Sequence, residues 1–313
     1  MIRSFYTLYI VDVFLKEIDL HGLWQNSKCI GLRRLLLSML FAASLAGCSS
    51  IISSATSKMA DNLSTTILNS NDPQTVADGA PAYLLLVSSF LKDGADNENL
   101  LRSAATLHSA YAGVFIKDKD RAAKMATQAL DYALRTVCVS DESFCNLRKM
   151  PFKDFSDLLK TLDKDQVKNW YALGTTWTGW IQLNSKDWNA VAELARVKII
   201  FARLLELSPD YKQGGVHLYM AALSTLLPPA LGGKPEIGKQ HFEKAITLSK
   251  GKNLMAKVLY AEKYAKLLFN KELHDSLLKQ VLAADPMAPD LTLMNTLAQQ
   301  KAKELLVTGE DYF

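Results

Sequence analysis

Cysteine is scarce, with four in 313 residues, so the chain is not a disulfide-built scaffold. Glycine (15) and proline (9) fall below their usual shares of roughly 7% and 5%, which leaves few breaks and favours long helices over many short strands. Neither sign of charge dominates. Lys and Arg number 36 against 32 Asp and Glu, a net +4 at pH 7, too even for recognition of nucleic acid through a basic surface. Beyond Lys58 no run alternates apolar and polar residues for long enough to argue a half-buried strand. What is present is 49% hydrophobic residues at a mean hydropathy of +0.02, which fits a globular chain with a sizeable core and excludes a disordered or collagen-like one.

That average hides an apolar run near the N-terminus. Arg33 and Arg34 precede Leu35-Leu36-Leu37-Ser38-Met39-Leu40-Phe41-Ala42-Ala43-Ser44, and then Leu45-Ala46-Gly47-Cys48. A charged start, an apolar core too short for a bilayer of about 30 Å and small residues before a cysteine read as a secretory signal over 1–47. The Leu-Ala-Gly-Cys ending resembles the lipobox of bacterial lipoproteins, which makes Cys48 the lipidated first residue of the mature chain. Met1 to Ile30 holds no second methionine and is more than a signal needs, so the start is expected nearer Arg33, and Cys29 then has no role. Residues 48–60 are expected to form a lipidated tether and 61–313 a single helical domain.

Export places the remaining cysteines in an oxidising compartment. Cys138 and Cys145 flank what reads as a turn between helices, and a structural disulfide is expected there, with two free thiols as the alternative. No further Cys or His lies near at ligand spacing, so no metal is expected.

Beyond the tether, helical periodicity is broken at Asn69-Ser70-Asn71-Asp72-Pro73, Lys92-Asp93-Gly94, Lys117-Asp118-Lys119-Asp120 and Pro228-Pro229-Ala230-Leu231-Gly232-Gly233-Lys234-Pro235. About a dozen helices are expected, among them 81–92, 99–116, 120–137 and 291–306. The segment Trp170-Tyr171-Ala172-Leu173-Gly174-Thr175-Thr176-Trp177 fits the first-helix pattern of a tetratricopeptide repeat, W-x2-L-G-x2-Y, with Trp in the Tyr position. The second-helix pattern is met at Val197, Phe201, Leu204 and Pro209. It recurs at Gly238, Phe242 and Ala245, and again at His274, Leu278, Val281 and Pro286, with a weaker earlier copy at Ala122, Ala126 and Ala129. Together these predict an all-α fold, an α-solenoid of tetratricopeptide-like helix pairs whose last helix has one apolar stripe and one polar face, as a capping repeat does.

Catalytic motifs are not found. Gly233-Lys234-Pro235-Glu236-Ile237-Gly238-Lys239-Gln240 mimics a phosphate-binding loop but ends in Gln where Ser or Thr must hold Mg2+, and Gly238 fits the small-residue slot of a repeat instead. His108, His217, His241 and His274 have no second ligand at i+3 or i+4, and His108 reads as a packed residue. The carboxylates of 153–168 read as a solvated helix face. Four tryptophans, Trp170, Trp177, Trp180 and Trp188, lie close together. They read either as an inter-helix core or as the lining of a ligand or partner surface.

Several strings are more specific. Leu173-Gly174-Thr175-Thr176-Trp177-Thr178-Gly179-Trp180-Ile181-Gln182, Asp187-Trp188-Asn189-Ala190-Val191-Ala192-Glu193-Leu194, His217-Leu218-Tyr219, Leu227-Pro228-Pro229-Ala230-Leu231-Gly232-Gly233 and the closing Asp311-Tyr312-Phe313 resemble the T-component family of lipoproteins that accompany tripartite ATP-independent periplasmic (TRAP) transporters. The resemblance spans nearly all of the mature chain, most strongly 165–313. It implies an all-helical fold with cryptic tetratricopeptide repeats, a homotrimer anchored by lipid in the periplasm, at the outer membrane of a Gram-negative cell, and partnership with the transporter's substrate-binding protein. It implies a small hydrophobic or carboxylated ligand, and no cofactor or catalytic residue. Trp177, Trp180, Trp188 and Tyr219 are the candidate ligand or partner surface. The competing expectation is a lipoprotein scaffold for envelope assembly that carries no ligand.

Overall fold

The computed structural model describes residues 62–92 and 96–313; the expected signal 1–47 with Cys29, the expected lipidation at Cys48 and the expected tether 48–60 lie outside the described residues. Among the described residues there is no strand. A helical segment over 62–68 leads into α1 (Pro73–Phe90), α2 (Glu98–Val114), α3 (Lys119–Ser140), α4 (Phe152–Leu159), α5 (Val167–Leu183) and the short α6 (Trp188–Ala192). The second half holds α7 (Leu194–Leu207), α8 (Tyr211–Ser224), α9 (Pro235–Leu248), α10 (Leu254–Leu259), a π-helical stretch Tyr260–Ala265, α11 (Lys271–Ala283) and α12 (Thr292–Tyr312). The architecture is all-α and repeat-like, in which α2 packs on α3, α5 on α7, α8 on α9 and α11 on α12.

Side-chain caps set many of the helix starts. Asp72 accepts from the amides of Gln74 and Thr75, Asn97 from Leu100, Asp118 from Arg121, Asn253 from Ala256 and Asn270 from Leu273, each satisfying a donor the helix itself leaves unpaired. The first helix begins at Pro73, eight residues before the expected 81. Pro81 does not start this helix but lies inside it. A proline has no amide hydrogen to give to the carbonyl four residues back. That carbonyl, Ala77, instead accepts the Tyr111 hydroxyl of α2 at 3.0 Å, so a tertiary contact repairs the gap.

The repeat positions are buried where helices meet. Trp170, Leu173, Trp177, Val197, Phe201 and Leu204 are all closed to solvent between α5 and α7. A Cβ on Gly174 would lie 3.0 Å from the Phe201 ring and 3.3 Å from Ile200, so the absence of a side chain is what lets these helices approach. In α11 the small-residue slot holds His274, which is fully buried, and the room comes from the facing helix. A Cβ on Gly309 of α12 would meet the His274 ring at 2.9 Å. One apolar core runs from Tyr83 to Val216 and a second from Leu218 to Leu305, so α8 contributes to both.

Cys138 and Cys145 form a disulfide across the turn after α3, with Cα atoms 4.5 Å apart. Along 153–168, Asp157 is half-exposed and bonds Lys153 and Lys160, both at 2.7 Å; these two lysines hold its carboxyl down to about 2.

Candidate functional site

The tryptophan-rich segment occupies α5 and the turn into α6, and its four rings have different environments. Trp170 is fully buried, edge-on to Phe144 at 5.2 Å. Trp177 is also fully buried, and its indole Nε1 donates to Glu193 Oε2 at 2.6 Å. Glu193, at the junction of α6 and α7, also takes Arg148, whose Nε and Nη2 donate to its carboxylate at 2.6–3.2 Å. Arg148 in turn lies over the Trp180 ring, 4.4 Å from its centre. Trp180 is 8% exposed and its Nε1 donates to Thr127 of α3 at 3.1 Å. Trp177, Glu193, Arg148 and Trp180 are therefore one interlocked unit joining α3, α5 and the start of α7. Both indoles belong to the core and neither lines an open surface.

Trp188 is the opposite case. It is 84% exposed, at the first position of α6, which Asp187 caps by accepting the Asn189 amide at 2.9 Å. Tyr219 on α8 is half-buried and stacks on Phe201 at 4.8 Å with ring planes 9° apart, while Tyr171 stands edge-on to it. Burial pushes the Tyr219 phenol up to about 12, so it stays protonated at any ordinary pH. Of the candidate residues Trp177, Trp180, Trp188 and Tyr219, Trp188 is by far the most exposed.

Linear spacing hid a further pair. His217 of α8 and His241 of α9 face each other with Nδ1 atoms 2.8 Å apart, so one ring donates and the other accepts. Desolvation, then the neighbouring His241 and Lys244, lowers His217 to about 4, and desolvation lowers His241 as well. Both are neutral near pH 7. The two lie 24 positions apart on different helices, where a search for neighbours at i+3 and i+4 cannot find them. The Glu193–Arg148 clasp escaped for the same reason, at a separation of 45. His108 is buried: its Nδ1–H donates to the Ala104 carbonyl at 2.8 Å, which leaves Nε2 to accept the Ser88 hydroxyl at 3.3 Å. Among the described residues no group of three or more His, Cys, Asp or Glu side chains converges as metal ligands would.

The family model described as TRAP transporter T-component matches residues 69–313, which is nearly the whole described body. No curated protein matches the chain.

Proposed function

The chain belongs to the TRAP transporter T-component family, and from that membership we propose a non-enzymatic, lipid-anchored periplasmic protein that binds the transporter's substrate-binding protein and assists transfer of a small hydrophobic or carboxylated ligand. The family description supports an accessory role in TRAP transport. A repeat-like helical body supplies extended faces of the kind that engage protein partners. The signal-like segment before Cys48 supports export and acylation, and hence a body tethered at the periplasmic face of a membrane, the outer one in this reading. Assembly as a homotrimer belongs to the same proposal.

The observation that carries the docking part is Trp188. A large ring that is 84% exposed on a capped helix costs solvation and contributes nothing to the core, whereas tryptophan is enriched among residues that dominate interfaces. The test is co-purification of the full chain with the substrate-binding protein of the TRAP system it serves. Trp188→Ala is expected to weaken capture by about tenfold or more while leaving the fold intact. Co-purification with envelope-assembly proteins, and never with a solute-binding protein, would overturn this reading in favour of the scaffold. For the ligand, native mass spectrometry against fatty acids and organic acids should show a bound species, and empty protein throughout removes that part.

A further inference from the structure

Helix α1 has an apolar outer face that none of the other described residues covers. From Gly79 to Leu91 it carries no charged residue. Tyr83, Leu84, Val87 and Leu91 point inward and are buried. On the outside, Leu85 is 74% exposed, Phe90 41% and Leu86 37%, with Ala82 and Ser89 between them. A helix apolar on all sides is stable in a folded protein when its second face is also removed from water. No helix among the described residues is long and apolar enough to cross a membrane, so α1 does not span one.

The attachment point indicates what covers it. Cys48 lies 14 residues before the first described helical residue, Asn62, and even a fully extended link of that length reaches at most about 50 Å. α1 is the next helix along, so an acylated Cys48 holds this face within reach of the bilayer. The stripe is bordered by the exposed Lys92, which lines a groove of about 450 Å³ between α1 and α3 with Asp131 and with Arg135, itself paired to Asp96 at 3.3 Å. An exposed lysine at the edge of an apolar stripe suits a surface with phosphate headgroups outside and acyl chains beneath.

We propose that the outer face of α1, Leu85, Leu86 and Phe90, lies in the headgroup–acyl boundary of the membrane that anchors Cys48, and so fixes the orientation of the body on that membrane. The inference rests on the reading of Cys48 as the lipidated residue. A bare acyl tether would leave the body free to tumble; a second, facial contact turns the remaining surfaces, Trp188 among them, in a set direction.

The test uses the processed full chain in vesicles of phosphatidylethanolamine and phosphatidylglycerol. Ser89→Cys on the outer face carries a fluorophore, and Thr308→Cys on the exposed side of α12 serves as the reference. Nitroxide lipids are expected to extinguish most of the Ser89 signal and little of the Thr308 signal, with aqueous iodide giving the reverse. Adding Leu85→Glu and Phe90→Glu should return the Ser89 label to iodide access. A Ser89 label open to iodide in the unmodified background overturns the proposal. So does one shielded from both quenchers and cross-linking to a second copy, which would make this face a subunit contact. The intact mass of the same sample reads acylation separately. Acylated protein with an aqueous Ser89 label defeats only the facial contact, whereas lipid quenching on unacylated protein keeps the contact and defeats the anchor.

Discussion

Replacing Glu193 by alanine should be among the more damaging single changes outside the apolar cores. Its carboxylate accepts the Trp177 indole at 2.6 Å and the Arg148 guanidinium through three contacts. The two parts differ in weight. Arg148 is 36% exposed, so losing its ion pair costs below about 1 kcal/mol after screening by water. Trp177 is fully buried, and an indole N–H stripped of a charged acceptor loses a bond of about 1.5–3 kcal/mol with no water to replace it. Glu193→Ala is therefore expected to cost about 2–4 kcal/mol. Glu193→Gln keeps an acceptor for the indole and should cost about 1 kcal/mol. Urea denaturation followed by circular dichroism gives both values from the midpoints. A cycle with Trp177→Phe isolates the buried bond, because Glu193→Ala should cost much less once the indole N–H is gone. A Glu193→Ala protein within about 0.5 kcal/mol of the parent, or strict additivity with Trp177→Phe, would refute the assignment of this carboxylate as the buried acceptor.

Three more outcomes follow from particular contacts. Tyr111→Phe should destabilise by about 1 kcal/mol by orphaning the Ala77 carbonyl, and Pro81→Ala should blunt that loss by restoring a helical amide; denaturant midpoints of the two singles and the double decide it. The histidine pair should make the fold acid-sensitive. With His217 lowered to about 4, the unfolded chain takes up a proton near 6.5 that the folded chain refuses, so stability falls as pH drops from about 6.5 towards 4. His217→Phe should flatten part of that fall, measured between pH 7 and 5, above the range where Asp157 protonates; an unchanged slope counts against the pair. Reduction of Cys138–Cys145 should cost about 2 kcal/mol, little for a disulfide because the loop it closes is short, and a Cys138→Ala, Cys145→Ala protein should lose a similar amount in urea.

Helix content, the breaks between helices and the burial of the repeat positions were legible in the chain because each depends on local pattern. Few glycines and prolines, apolar residues at helical spacing and Asp or Asn ahead of a helix act within a few residues of where they stand. The segment 173–194 and the sequence ending at Phe313 likewise pointed to the TRAP T-component family, whose model matches 69–313. Pro81 shows the limit. Local rules make a proline the start of a helix, and only Tyr111, thirty residues on in another helix, removes the reason to stop at it. The tryptophans show it again. Their spacing put the four rings close together in the chain, but whether each faced a neighbour or water depended on Arg148, Thr127 and Glu193 arriving from elsewhere, which hold Trp177 and Trp180 in the core, while Trp188 stays outside. The His217–His241 contact and the uncovered side of α1 were invisible for the same reason. A sequence fixes which face of a helix is apolar through its own period, but which apolar face finds a partner is settled only when helices distant in the chain are packed together.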